Sequence, residues 1–108
     1  MNQAVFILLT ALSFASAHAT AAEGNPEAGK AKSTTCAGCH NVDGNSASAM
    51  FPKLAGQHKD YLFHSLQAYK SGKRKNPIMA GQVQNLSLTD MADLAAYYSQ
   101  QKGLSIKY

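Results

Sequence analysis

Both cysteines of the chain fall in one pentapeptide, Cys36-Ala37-Gly38-Cys39-His40, which also supplies a histidine. Four chemistries share that spacing. A structural zinc ion needs four ligands, for which Cys36 and Cys39 would have to recruit His58 and His64. The stretch from Cys39 to His58 is longer than the usual zinc-finger linker. On a helix of 3.6 residues per turn, His58 and His64 also stand about 1.7 turns apart and point away from one another. A thioredoxin-like dithiol wants a strand-helix-strand setting, and no alternating strand pattern is present. A disulfide across two intervening residues closes a very small loop and stabilises little. The fourth chemistry is covalent haem attachment, for which C-x-x-C-H has a mechanism. On a helical turn Cys36 and Cys39 share one side, so each thiol can add to one vinyl group of a porphyrin. His40 is then held beside the ring, where it can ligate the iron.

These side chains need elements to hold them. Residues 1–22 read as a secretory signal: an apolar run from Ala4 to Ala17, then small residues, with cleavage favoured after Ala22 over Ala19 or Ala21. The segment before the run lacks Lys and Arg, a departure from the usual pattern. The run is shorter than the ~20 residues that cross a bilayer. Cleavage leaves residues 23–108 as one domain. That domain keeps all ten Lys and Arg and all six Asp and Glu, hence the net charge of +4. A domain this small buries a limited core and often depends on a staple, metal or cofactor, and this one has no Trp. Export implies an oxidising compartment, where two free thiols would be unusual.

The pattern along the domain is all-α. Asn25 as cap, Pro26 at the first helical position and Glu27 at the positive end of the dipole predict a helix from Glu27 to about Thr35, with the pentapeptide directly after it. Residues 41–57 are rich in Gly, Ser, Asn and Pro and read as loop, with Phe51, Pro52 and Leu54 as inward contacts. Leu62, Leu66 and Tyr69, with Phe63 alongside, predict a helix over 58–71 that ends at Ser71-Gly72. Lys73 to Leu86, containing Pro77, Met79 and Gly81, reads as a second loop. Met91, Leu94, Ala95 and Tyr98 mark a last helix, capped by Ser87 or Thr89 and closed by Lys102 and Gly103. Two such long loops are too many for a bare bundle of this size, but they suit a chain wrapped around a bound group. Covalent haem attachment therefore accounts for the cysteine pair, the export signal, the thin core and the loops together. Haem would serve as both cofactor and core.

"CAGCH", followed in order by "NSASAMFPKLAGQ", "NPIMAG" and "LSLTDMADLAAYYSQQ", resembles the class I c-type cytochromes, most closely the small bacterial monohaem cytochromes of the c553/c4 type. The resemblance runs over essentially all of residues 24–103. It implies the cytochrome c fold, three to five short helices and long loops wrapped around one covalent haem c. It implies Cys36 and Cys39 as the thioether cysteines and His40 as the proximal iron ligand. It further implies that the Pro52 carbonyl orients His40 through the other ring nitrogen and that Met79 is the distal ligand. The family packs its first and last helices together; Gly29 on one side and Leu94, Tyr97 and Tyr98 on the other are the matching residues. Lys32 stands where many relatives carry a larger apolar residue, which predicts a thinner contact there.

Among the other methionines, Met1 begins the signal, Met91 lies on the apolar stripe of the last helix, and Met50 is expected to pack in its loop. Met79 follows far enough after His40 for the chain to reach the opposite haem face. His and Met together leave the iron no open position, which suits outer-sphere electron transfer. The expected function is a soluble periplasmic electron carrier, a monomer and not an enzyme. No Ser/His/Asp constellation or phosphate-binding loop competes with that reading. The alternatives are a five-coordinate haem protein acting on peroxide or a diatomic gas, and a secreted zinc-binding interaction module. Lys70, Lys73, Arg74 and Lys75 form a basic run. In an exported chain it reads as a solvated turn or as a docking patch for redox partners with acidic faces rather than as a nucleic-acid site. Acidic-faced redox partners are the expectation, and no membrane insertion follows signal removal. Tyr61, Arg74 and Asn76 are candidate haem-propionate contacts, and His58 and His64 read as surface side chains.

Overall fold

The computed structural model describes residues 23–104; the expected export signal, residues 1–22, lies outside them. The described residues hold five helices, α1 (Pro26–Lys32), α2 (Thr34–His40), α3 (Lys59–Ser71), α4 (Pro77–Val83) and α5 (Leu88–Ser99), and no strand.

Each helix has a local cause. The Asn25 side chain accepts the Glu27 and Ala28 N–H groups at 2.9 and 3.0 Å, and Pro26 opens α1. The expected single helix is divided at Ser33, whose hydroxyl donates to the Lys30 carbonyl at 2.7 Å. Such a bond competes with continued helix. The chain restarts as α2, so the CAGCH pentapeptide lies on a helix of its own rather than after one. α3 ends at Gly72, which takes a left-handed φ of 79° that glycine adopts without penalty. The expected second loop is in part a helix. Asn76 accepts the Ile78 and Met79 N–H groups at 3.0 and 3.1 Å, Pro77 sits in the first turn, and α4 follows. Of the two candidate caps for α5, Ser87 is the one used. It forms a reciprocal capping box with Asp90, at 3.0 and 2.9 Å. The helix stops at Ser99, short of the expected Lys102 and Gly103.

α5 is the central element, with Met91 through Tyr98 all buried. α1 crosses it at Gly29, where a Cβ would lie only 2.0 Å from the Asp93 carbonyl oxygen. α3 packs on another face through Leu62, Leu94, Ala95, Tyr97 and Tyr98. The contact at Lys32 is not the thin one expected. Its ammonium pairs with Asp90 at 2.8 Å and with Asp93 at 2.6 Å, while Asp93 also accepts the Asn25 N–H at 2.7 Å. A long side chain that lays its stem along the helix and ends in a charge replaces apolar packing by a two-carboxylate clamp. Hydrogen bonds from Lys32 and from the Ser87 N–H hold the Asp90 carboxyl at a pKa of about 2, and Lys32 likewise lowers that of Asp93.

Candidate haem site

α2 brings three of the expected site residues together. Cys36 and Cys39 are both free thiols, three residues apart and so on one side of the helix. Cys36 packs against the α3/α5 cluster, and this burial pushes its thiol pKa up, a rise that the nearby Thr35 and Tyr98 hydroxyls partly offset. Cys39 is exposed. His40, the last residue of α2, is only 6 % exposed. Its Nδ1 lies 2.8 Å from the Pro52 carbonyl oxygen. A carbonyl can only accept, so Nδ1 carries a proton, and in the neutral imidazole Nε2 keeps its lone pair. The Phe51 ring meets His40 edge-on at 6.5 Å between centroids. Pro52's own side chain is exposed, so its part here is played by the backbone.

The chain turns sharply after His40. Asn41 has φ 72° and ψ 163°, a region nearly closed to residues other than glycine. The Tyr97 hydroxyl donates to the Val42 carbonyl at 2.7 Å and ties this turn to α5. Neither feature was read from the sequence. Tyrosine rather than phenylalanine at a buried position is the signal that could have found the second, since a buried hydroxyl usually has a partner.

Met79 sits in the first turn of α4, half buried, on a helix that packs against α3. Met91 is core at 1 % exposure. Met50, expected to pack, is instead 84 % exposed, because its loop turns on Ser46 and Ser48 hydrogen bonds with the methionine outside. His58 and His64 are exposed, as expected. Among the described residues no group of three His, Cys, Asp or Glu converges on a common point, so the zinc reading draws no support. A hollow of about 540 Å³, lined in part by His64, Gln67, Ala68, Leu88 and Met91, includes none of the expected site residues. It lies against the face of α3 opposite Leu62 and Leu66, as their helical spacing requires.

Of the basic run, Arg74 stacks over the Tyr69 ring at 4.8 Å and reaches the Tyr61 hydroxyl at 3.5 Å. Lys70 donates to the Leu86 carbonyl. Asn76 is committed to capping α4. Lys70, Lys73, Arg74 and Lys75 are all exposed. Among the described residues no helix is long and apolar enough to cross a membrane.

Residues 26–102 match the profile of the Cytochrome c family, and the chain belongs to that family. Cytochrome c4 of Pseudomonas aeruginosa is 45% identical over 103 residues, covering 94% of this chain and 50% of that protein. Cytochrome c-554(548) of Halomonas halodenitrificans is 43% identical over 82 residues, covering 73% of this chain and 99% of that protein. The crystal structure of reduced cytochrome c4 from Pseudomonas stutzeri superposes with a TM-score of 0.72 at 46% identity, over 75% of this chain and 47% of that one. The chain thus spans about half the length of the cytochrome c4 relatives it matches. The all-helical cytochrome c fold expected from the sequence is the fold observed.

Membership implies a covalently bound haem c, and the residues present fit one. Two unpaired thiols share a helix side, and a buried imidazole has one nitrogen committed and the other available. Phe63, Leu66 and Tyr69 keep part of the apolar surface of α3 uncovered, as contact with a large flat apolar group requires.

Proposed function

We propose that this protein is a periplasmic electron carrier that holds a single haem c and passes one electron at a time between redox proteins, with no catalytic chemistry of its own. The observation that carries this reading is the buried His40 imidazole, fixed through Nδ1 to the Pro52 carbonyl on the same short helix as two free thiols. A bound haem c supplies a one-electron iron couple whose potential depends on its axial ligands, burial and hydrogen bonding. Cys36 and Cys39 would hold it covalently. His40 would present Nε2, made more basic by the hydrogen bond at its other nitrogen. Met79 would supply the second axial ligand. A thioether favours the reduced iron and so raises the potential. It also fills the position that peroxide or a gas would need. Asn76 fixes the backbone of Met79 through its N–H, which limits rearrangement on electron transfer.

The exposed cations Lys70, Lys73, Arg74 and Lys75 would steer acidic faces of partner proteins, raising the association rate more than the affinity. The mature chain, residues 23–108, would act as a monomer, bind no nucleic acid and stay out of the membrane once its signal is removed.

The test combines a visible spectrum and redox titration of the exported protein with the mass of its mature form. The expected result is one haem per chain, an N-terminus at Glu23 and a weak long-wavelength sulfur-to-iron band in the oxidised state. Absence of haem bands refutes the reading. Ready binding of carbon monoxide by the reduced protein overturns Met79 and favours the five-coordinate alternative.

A further inference from the structure

The Tyr98 hydroxyl is buried and has no hydrogen-bond partner among the described residues. The residue as a whole is 3 % exposed. Leaving such a group unpaired costs about 1–3 kcal/mol, and a phenylalanine would fill the same space without that cost. The ring is wedged in place, with Tyr97 at 5.0 Å between centroids and its Cδ1 2.8 Å from where a Cβ on Gly44 would stand. The hydroxyl therefore cannot swing out to water.

Three polar side chains bear on it electrostatically, Ser33, Cys36 and Tyr97, and the Tyr97 hydroxyl is committed to the Val42 carbonyl. The Ser33 hydroxyl already donates to the Lys30 carbonyl at 2.7 Å, so towards Tyr98 it can only accept. Cys36 packs against the cluster that contains Tyr98. As a thiol it is both a weak donor and a weak acceptor. Attachment changes that. Addition of Cys36 across a vinyl group forms one S–C bond and moves the thiol hydrogen to the other vinyl carbon, with no oxidant or reductant consumed. The sulfur that results is an acceptor only.

We infer that Tyr98 is a positioning residue for the Cys36 thioether, its buried O–H donating to the Cys36 sulfur in the haem-bearing protein. This rests on the haem reading above. The bond places the positive end of the O–H dipole on an atom joined to the porphyrin edge. Hydrogen bonding in the shell around a haem is one of the levers on its potential, and positive charge at this edge disfavours the more positive oxidised state. It also orients the thioether and so one edge of the ring.

The experiment uses the holoprotein, its Tyr98→Phe variant and its Ser33→Ala variant. Midpoint potential and the resonance Raman C–S stretching band are the readouts. Tyr98→Phe keeps the ring, so a merely packing role leaves both unchanged. The inference expects a fall in the potential corresponding to about a threefold change in the redox equilibrium constant, about 30 mV at 59 mV per tenfold for one electron. It also expects a displaced C–S band, with Ser33→Ala leaving both at their wild-type values. Unchanged readouts in Tyr98→Phe overturn it. So does a Ser33→Ala variant that reproduces the Tyr98→Phe shifts, since the serine would then be the acceptor. Should Tyr98→Phe fail to mature, the wild-type protein still decides the matter: transfer to deuterated water moves the C–S band if an exchangeable O–H donates to the sulfur, and no isotope shift overturns the inference. Wild-type protein without haem bands would instead refute the haem reading itself, a result distinguishable from all of these.

Discussion

Replacing Gly29 by alanine tests whether the α1/α5 crossing is as close as the structure shows. A Cβ at this position would lie 2.0 Å from the Asp93 carbonyl oxygen, 2.6 Å from its carbon and 2.8 Å from the Tyr97 Cβ. Carbon packs at about 3.5–4.0 Å, so the helices would have to part by more than about 1 Å. The obstacle is backbone, which cannot rotate aside as a side chain does. Parting the helices also stretches the clamp on either side of the crossing, the Lys32 pairs at 2.6 and 2.8 Å and the Asn25 bond to Asp93 at 2.7 Å. Overpacking costs about 1–3 kcal/mol and occasionally more, and a backbone clash belongs at the upper end. Alanine returns about 1 kcal/mol of helix propensity. The net loss is therefore about 2 kcal/mol or more. In a domain of this size each kcal/mol moves Tm by about 4–8 °C, so Gly29→Ala should melt about 10 °C or more below wild type. The assay is thermal unfolding of the oxidised holoprotein followed by far-ultraviolet circular dichroism. Gly38→Ala is the control, since a Cβ there meets no atom of the described residues within 4 Å; it should leave Tm unchanged or raise it. A Gly29→Ala protein that melts within a degree or two of wild type would refute the close crossing.

Met79→Ala should lower the midpoint potential, abolish the sulfur-to-iron band and let the reduced protein bind carbon monoxide; unchanged spectra would mean that another residue is the ligand. Asp90 has a folded pKa of about 2 against an ordinary 3.8, and Asp93 is lowered as well. Because these pKa values are depressed on folding, the stability they contribute is present above about pH 4 and is lost as pH falls towards 2. Lys32→Ala should flatten this acid dependence in urea titrations run between those limits. Asn41→Gly removes a side chain from a backbone position at φ 72° and ψ 163°, which carries about 1–3 kcal/mol of strain for a non-glycine residue. It should raise the urea midpoint of the holoprotein, and a lowered midpoint would show that the Asn41 side chain matters more than the strain.

Local signals were legible where cap and periodicity agreed. Asn25-Pro26 announced α1, and the apolar stripes of α3 and α5 gave their faces. α4 carries the same cap signature, Asn76-Pro77, yet reads as loop. Gly81 lies within it and only Val83 of its residues is buried, so no apolar stripe reinforces the cap. The break at Ser33 was missed because a serine hydroxyl bonding back to the preceding turn is one of several things a serine there can do. Lys32 misled for a different reason. Its carboxylate partners lie on α5, far along the chain, and no local pattern shows that two of them converge on one ammonium. Of the site, the pentapeptide named Cys36, Cys39 and His40 directly. Pro52 came only through family likeness, because the contact is a backbone carbonyl reached by a loop of no regular pattern. Loop conformation, unlike helical phase, has no period to read, and the outward turn of Met50 follows from that.

The two residues proposed as axial ligands are each tied by a hydrogen bond, at different levels. The His40 ring is oriented by the Pro52 backbone carbonyl, while the Met79 backbone is fixed by the Asn76 side chain that receives its N–H. Both sit on helices of only seven residues, too short to be stable by themselves. Their positions are therefore set by what ties those helices down. α2 continues from α1, which is clamped to α5 at Gly29 and Lys32, and the turn after His40 is bonded to α5 through Tyr97. α4 rests on α3, which rests on α5. The proposed ligands thus refer, by two separate routes, to one buried helix. A carrier needs this arrangement more than it needs a large core. Electron transfer is slowed by motion of ligand against ligand, and the two can shift relative to each other only if a contact along one of these routes gives way, at α5 or between α3 and α4. Three part-buried side-chain hydrogen bonds, Asn25 N–H to Asp93, Lys32 to Asp93 and the Tyr97 hydroxyl to the Val42 carbonyl, join α5 to the segments on either side of the pentapeptide and hold the His40 route in place.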